Sequence, residues 1–235
     1  MNERMKRKIR IGAAVLVVLA VVVGITAWYK LYRDVPQPGW ITADPRDDFL
    51  YGSVGAEGTA GMPYWIWLVV PRICPEHLPG QGGYASLGRP WEEGREMPAG
   101  FSKKTIGYVR VAASCALCHA ASSGTGPDQV PAVVVAGPGH ATDIQPLLSF
   151  FTECAQDPRF NADEILSEID MATKLSVLDR LLYRFVLIPR TRQALVDQSV
   201  LIDSELRRHS QRPGAPFSRQ RMKDLADWLK KGAAR

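Results

Sequence analysis

The chain has 235 residues, 46% of them hydrophobic and 23% charged, which excludes a disordered chain and allows one medium domain with an appendage. Its net charge of +5 is not a nucleic-acid signature, because Arg4, Lys6, Arg7, Lys8 and Arg10 face only Glu3 in the first ten residues. Four of the five charges therefore lie in that tail, and no basic patch for phosphate remains in the rest of the chain.

Residues 1–10 read as a cytoplasmic basic tail. The run from Ile11 to Tyr29 carries no charge and is rich in Val, Leu and Ala. Nineteen residues at ~1.5 Å rise make about 28 Å, close to the hydrocarbon thickness of a bilayer. Residues 11–29 are therefore expected to be a transmembrane anchor, with Trp28 and Tyr29 at the far interface. The basic flank keeps the N-terminus in the cytoplasm and sends the remainder out. That places the chain in a bacterial inner (cytoplasmic) membrane with its main domain in the periplasm. A cleaved signal peptide is the alternative, but the apolar core is long for one and Gly24-Ile-Thr-Ala27 is a poor cleavage site.

Residues 30–45, with Pro36, Pro38, Gly39 and Pro45, read as a linker, and residues 46–235 as the domain. The expected class is mainly α with long loops. Residues 46–110 are loop-rich, and Leu78–Gly100 holds too many Gly and Pro residues for long regular structure. Pro63–Pro71 is too short to span a bilayer and reads as a core segment, with Tyr64, Trp65 and Trp67 as aromatic core. Tyr108–Ala113 has the composition of a short strand. Beyond residue 143, helices dominate. Ile144, Leu147, Leu148 and Phe151 mark one amphipathic face. Asn161-Ala-Asp-Glu164 opens a helix with Ile165, Leu166 and Ile169 inward. Leu178, Leu181, Leu182 and Phe185 predict an inward face of another, ended by Pro189. Thr191 to about Arg208 predicts a further helix. Gln211–Phe217 reads as a linker, followed by a last helix capped by Ser218 with Met222, Leu225, Ala226 and Leu229 inward.

The chemistry lies at Cys115-Ala-Leu-Cys-His119. On a helical turn, positions i, i+3 and i+4 share one face, so two thiols and one imidazole meet the same object. This is the C-x-x-C-H pattern of covalent haem attachment, with thioethers from Cys115 and Cys118 and His119 as axial iron ligand. The expected cofactor is one haem c. A thioredoxin-like pair needs a βαβ surround, and a structural zinc site needs two further ligands. Cys74 and Cys154 remain, either as a disulfide enclosing the motif or as buried inert thiols. The sixth iron ligand is open among Met97, His140 and Met171, with Met62, His77, His209 and Met222 as further donors by type. A strong sixth ligand makes an electron-transfer haem, and an open position admits oxygen or peroxide.

Several blocks carry a family resemblance: Phe49-Leu-Tyr-Gly-Ser53, Gly61-Met-Pro-Tyr-Trp65, Pro79-Gly80, Gly83-Tyr-Ala-Ser86, Gly94-Arg-Glu-Met-Pro98, Gly100-Phe-Ser-Lys-Lys104, the haem motif and Asp157-Pro-Arg-Phe160. Over Asp44 to about Arg192 the chain resembles the N-terminal half of exported dihaem cytochrome c peroxidase-like or rubber-oxygenase-like proteins. The resemblance implies an exported, mainly helical haem protein. It does not imply the two-haem reaction, because no second C-x-x-C-H follows. The functional expectation is a membrane-anchored monohaem cytochrome passing single electrons to redox partner proteins. A haem-dependent peroxidase or oxygenase-like oxidoreductase is the second expectation, and a haem gas sensor or a subunit of a larger respiratory complex is the third.

Overall fold

Thirty residues, Glu3–Tyr32, form one helix, α1, in the computed structural model of the chain. The structure describes residues 3–88, 90–123, 132–135 and 144–211. Helix α1 is long and apolar enough to cross a membrane, and none of its residues is buried. Its Val and Leu side chains, Leu16 and Val17 among them, therefore lack any protein cover.

The stretch expected to be a linker is instead folded onto the domain. It holds the end of α1, strand β1 (Asp34–Val35) and the short helix α2 (Gly39–Ala43). Gln37 donates to Lys103 O at 2.9 Å and accepts from Ser53 N–H at 2.6 Å, so these prolines and glycines shape a packed path. Helices α3 (Pro45–Tyr51), α4 (Glu57–Ala60) and α5 (Tyr64–Ile73) follow, with strand β2 (Met62–Pro63) before α5. Asp44 caps α3 by accepting from Arg46 N–H, with Pro45 in the first turn where it sacrifices no bond. Strands β3 (Phe101–Ile106) and β4 (Tyr108–Ala113) form a hairpin, the centre of an antiparallel sheet in the order β1-β3-β4-β2. The strand expected at Tyr108–Ala113 is present. The strands β1 and β2 were not legible because they are two residues each, and β3 (Phe101–Ile106) was missed because its Ser, Lys and Thr residues leave no apolar alternation.

Past β4 come α6 (Ala116–His119), the hairpin β5 (Ala120–Ser123) with β6 (Ala132–Val135), and then helices α7 (Ile144–Gln156), α8 (Ala162–Ala172), α9 (Val177–Leu182) and α10 (Ile188–Gln211). The chain is thus mostly helical, as expected, with a small sheet inside it. Asn161 caps α8 through Asp163 and Glu164 N–H, and Ile165, Leu166 and Ile169 are buried as their spacing requires. Helix α7 buries Leu147, Phe150 and Cys154, leaving Ile144 exposed.

Two expectations are corrected around Pro189. Leu178, Leu181 and Phe185 face outward, Leu182 packs half-buried against the core as expected, and the residues fully buried there are Tyr183 and Leu187. The helix also does not stop at Pro189. Tyr183–Leu187 widen into a π turn in which Ile188 N–H bonds Tyr183 O. A proline ring clashes with the carbonyl four residues back, and the wider turn lets it pass. The segment expected after Gln211 lies outside the described residues.

Most buried side chains belong to one core. Trp67 stacks on Tyr84 at 4.4 Å between ring centres and lies 5.3 Å from Phe101. Phe150, Phe160 and the inner face of α8 complete it. A disulfide joins Cys74, at the end of α5, to Cys154 on α7, with 5.7 Å between the Cα atoms. A second, smaller cluster holds Ile41, Leu50, Tyr51, Ala99, Ala116 and Ala120.

Candidate functional site

The motif sits where the sheet ends. Gly100 adopts φ +92°, accepts from Ser114 N–H at 2.9 Å and donates to Leu50 O at 3.0 Å. That pair of bonds pins the end of β4 to the end of α3. The chain then turns, with Leu117, Cys118 and His119 N–H groups bonding back to Ser114 and Cys115 carbonyls. Ala116 and Ala120, four apart, are fully buried against Leu50 and its neighbours. Small side chains allow this close approach. The opposite face of the turn then presents Cys115, Cys118 and His119, all exposed and with neither thiol in a disulfide. All three members of the i, i+3, i+4 set are thus open to solvent.

Ser114, just before the motif, is only 7% exposed, and its Oγ finds no hydrogen-bond partner among the described residues. A buried hydroxyl left unpaired costs about 1–3 kcal/mol. Trp67 Nε1 is likewise buried without a partner among the described residues.

The hairpin also sets the site's position. The turn between β3 and β4 holds the end of α1. Gly107 N–H donates to Arg33 O at 2.7 Å, and Arg110 Nη2 donates to Leu31 O at 3.2 Å. A Cβ on Gly107 would lie 2.3 Å from the Leu31 carbonyl carbon, and its φ is +74°, so only glycine fits. The motif follows the other end of β4. Six residues at ~3.3 Å put it about 20 Å from the α1 seat.

A charged network flanks the small cluster. Arg46 pairs with Glu92 and reaches Val133 O on β6, and Tyr51 Oη donates to Glu92 at 2.8 Å. Arg95 holds both oxygens of Asp47 at 2.8 Å and lies over the rings of Trp40 and Tyr51. The Arg46 hydrogen bond holds the Glu92 carboxyl below the usual carboxylate range, against a smaller opposing effect of burial. Burial and the bond to Glu92 push the Tyr51 phenol well above its usual range. Trp40, Tyr51 and Arg95 wall a cavity of about 290 Å³ with Ile41, Met97 and Lys103. No local pattern links positions 46–51 to 92–95, so this network was not legible in the sequence.

The sixth-ligand candidates separate. Met97 is buried in the main core and reaches that cavity. Met171 is exposed at the end of α8, and Met62 is half-buried in β2. His77 stands against Glu153 and Asp157, with nitrogen–oxygen distances of 3.3 and 3.6 Å, beside the disulfide. Among the described residues, Glu76, His77 and Asp157 form the one group of ligand atoms within 4.8 Å of one another. Arg159 already pairs with both of its carboxylates. His140, Met222 and the side chain of His209 lie outside the described residues.

The rivals to haem attachment are not favoured by this surround. Helix α6 spans four residues and leads into an antiparallel hairpin, not the long helix of a thioredoxin-like site. Comparison with protein-family models, with curated proteins and with solved structures finds no match.

Proposed function

We propose that the chain is a membrane-anchored c-type cytochrome with one haem attached through Cys115 and Cys118 and ligated by His119, serving one-electron transfer on the periplasmic side. The observation that carries the reading is the contrast between its thiols. Cys74 and Cys154 are joined in a disulfide, which is a feature of oxidising compartments. Cys115 and Cys118 are exposed and unjoined in the same chain. Exposed neighbouring thiols in such a compartment either oxidise to a disulfide or are captured by another group, and the spacing to His119 supports capture as haem thioethers.

A haem held there supplies a one-electron couple. The chain's own residues do the positioning. Ala116 and Ala120 fasten the turn to α3, His119 offers an imidazole on the thiol face, and Ser114 Oγ is available to a polar edge. The β3–β4 hairpin puts about 20 Å between the site and the end of α1, a separation that supports access by water-soluble partners. The basic tail and α1 support an N-terminus on the cytoplasmic side of the inner membrane.

The test is an optical spectrum of the full chain purified from a host with a c-type maturation system, reduced, with and without carbon monoxide. A c-type spectrum that survives denaturing electrophoresis and is lost in Cys115→Ala and Cys118→Ala is expected. A chain without covalent haem sinks the reading. A spectrum unmoved by carbon monoxide supports electron transfer. A shifted one means an accessible iron position and transfers the proposal to a haem-dependent peroxidase or oxygenase-like enzyme.

A further inference from the structure

Helix α9 wears its apolar side chains on the outside. Val177 is 77% exposed and Phe185 68%, and Leu178, Leu181 and Met171 are exposed with them. Single exposed apolar residues are ordinary, but five large ones between positions 171 and 185 form a patch that water disfavours.

Its place in the fold says what covers it. Lys30 Nζ donates to Asp179 Oδ1 at 2.6 Å. Lys30 is the first charge after the apolar run of α1, so in a spanning helix its ammonium lies at headgroup level. Asp179 is then at that level too, and Leu178 and Leu181 lie within a helical turn of it, about 5 Å. No loose connection allows the domain to drift from this height. Gly107 and Arg110 bond the backbone of residues 31–33, and β1 pairs with β3 directly after α1. The charges around the patch suit the same surface. Lys174 and Arg190 are exposed. The nearby acids are already paired, Asp170 with Arg180, Asp163 with Arg184 and Asp179 with Lys30.

We propose that the outer face of α9, with Met171 and Phe185, is a second membrane contact. It enters the interfacial layer of the bilayer that α1 crosses, with Lys174 and Arg190 over anionic headgroups. A helix with apolar residues on one side and basic residues on its flank binds such a layer through both. The domain thus lies on the membrane in one orientation. The proposal rests on α1 spanning, and not on the haem.

The experiment uses the full chain in vesicles of phosphatidylethanolamine and phosphatidylglycerol. A photoreactive benzophenone amino acid is placed singly at position 178, 185, 18 or 134. Position 18 lies within α1, and Val134 is exposed on the hairpin beyond the motif. After illumination, lipid adducts are counted by mass spectrometry. Adducts at 178 and 185 about tenfold above those at 134 are expected, approaching the yield at 18. Adducts at 18 with 178 and 185 no higher than 134 overturn this proposal and leave the span intact. No adduct at 18 overturns the spanning reading, and this one with it. Adducts of 178 or 185 to protein, whether a second copy or another chain, overturn the lipid assignment.

Discussion

The two cores of this domain are built on different physics. The larger holds Trp67, Tyr84, Phe101, Phe150 and Phe160, with α5 and α7 tied by the Cys74–Cys154 bridge. The smaller is lined by alanines and one turn of α3, and it is ringed by ion pairs instead of rings of carbon. The first provides stability. The second provides a thin, closely approached support for the turn that bears Cys115, Cys118 and His119. A site formed on a close-packed small cluster is sensitive to volume and charge, whereas the large core is sensitive to its cross-link.

The largest expected effect breaks the larger core. The disulfide closes a loop with a sequence separation of 80, and a loop of that length restricts the unfolded chain by about 4–5 kcal/mol. The Cys74→Ala/Cys154→Ala double variant should lose an amount of that order in chemical denaturation. A shift within error would mean that packing alone holds α5 to α7.

Next is the smaller core. Ala116 is fully buried beneath Leu50 and its neighbours, so Ala116→Leu overpacks the cluster by about 1–3 kcal/mol and pushes the turn from α3. The distinguishing readout is cofactor yield: covalent attachment should fall far more than it does in the disulfide variant. Equal yields in both would erase the contrast between the cores.

Asn161→Ala removes the cap of α8 and should cost about 1 kcal/mol in thermal or denaturant unfolding, without touching the motif. A loss of attachment in that variant would show that the two cores are coupled.

The smallest effect is electrostatic. Glu92 titrates below its unfolded value because of the Arg46 hydrogen bond. Its contribution is therefore complete above that value and is lost as pH falls through it toward the folded value. Glu92→Gln should flatten the acid limb of a stability–pH profile, reported by Tyr51 and Trp40 fluorescence near the site. An unchanged acid limb would mean that the surrounding solvent screens the pair fully.

Local patterns were readable where a local cause operates. The Asn161 cap, the buried face of α8, the short Pro63–Pro71 core segment and the strand at Tyr108–Ala113 all follow from residues within a few positions of one another. The reading failed where apolar spacing was taken for burial. Leu178, Leu181 and Phe185 recur at helical intervals, yet that stripe faces away from the protein. Periodicity identifies a face and does not say which medium covers it. Pro189 misled for a similar reason: a proline normally stops a helix, but a π turn upstream removes the clash. The stretch 30–45 has a linker's composition, and Gln37 and β1 nonetheless bind it into the fold.

The amino-acid sequence by itself determined the charge asymmetry around Ile11–Tyr29, the length of that apolar run, and the one-face spacing of Cys115, Cys118 and His119. Each is a property of neighbours along the chain, set by helix rise and pitch. Only the tertiary structure decided which cysteines join, that the motif rests on two alanines, that Arg46 meets Glu92, and that α9 stands beside Lys30 at the end of α1. Those are contacts between residues tens of positions apart. They form only when loop closure is repaid by packing, and no periodicity in a single sequence records that balance.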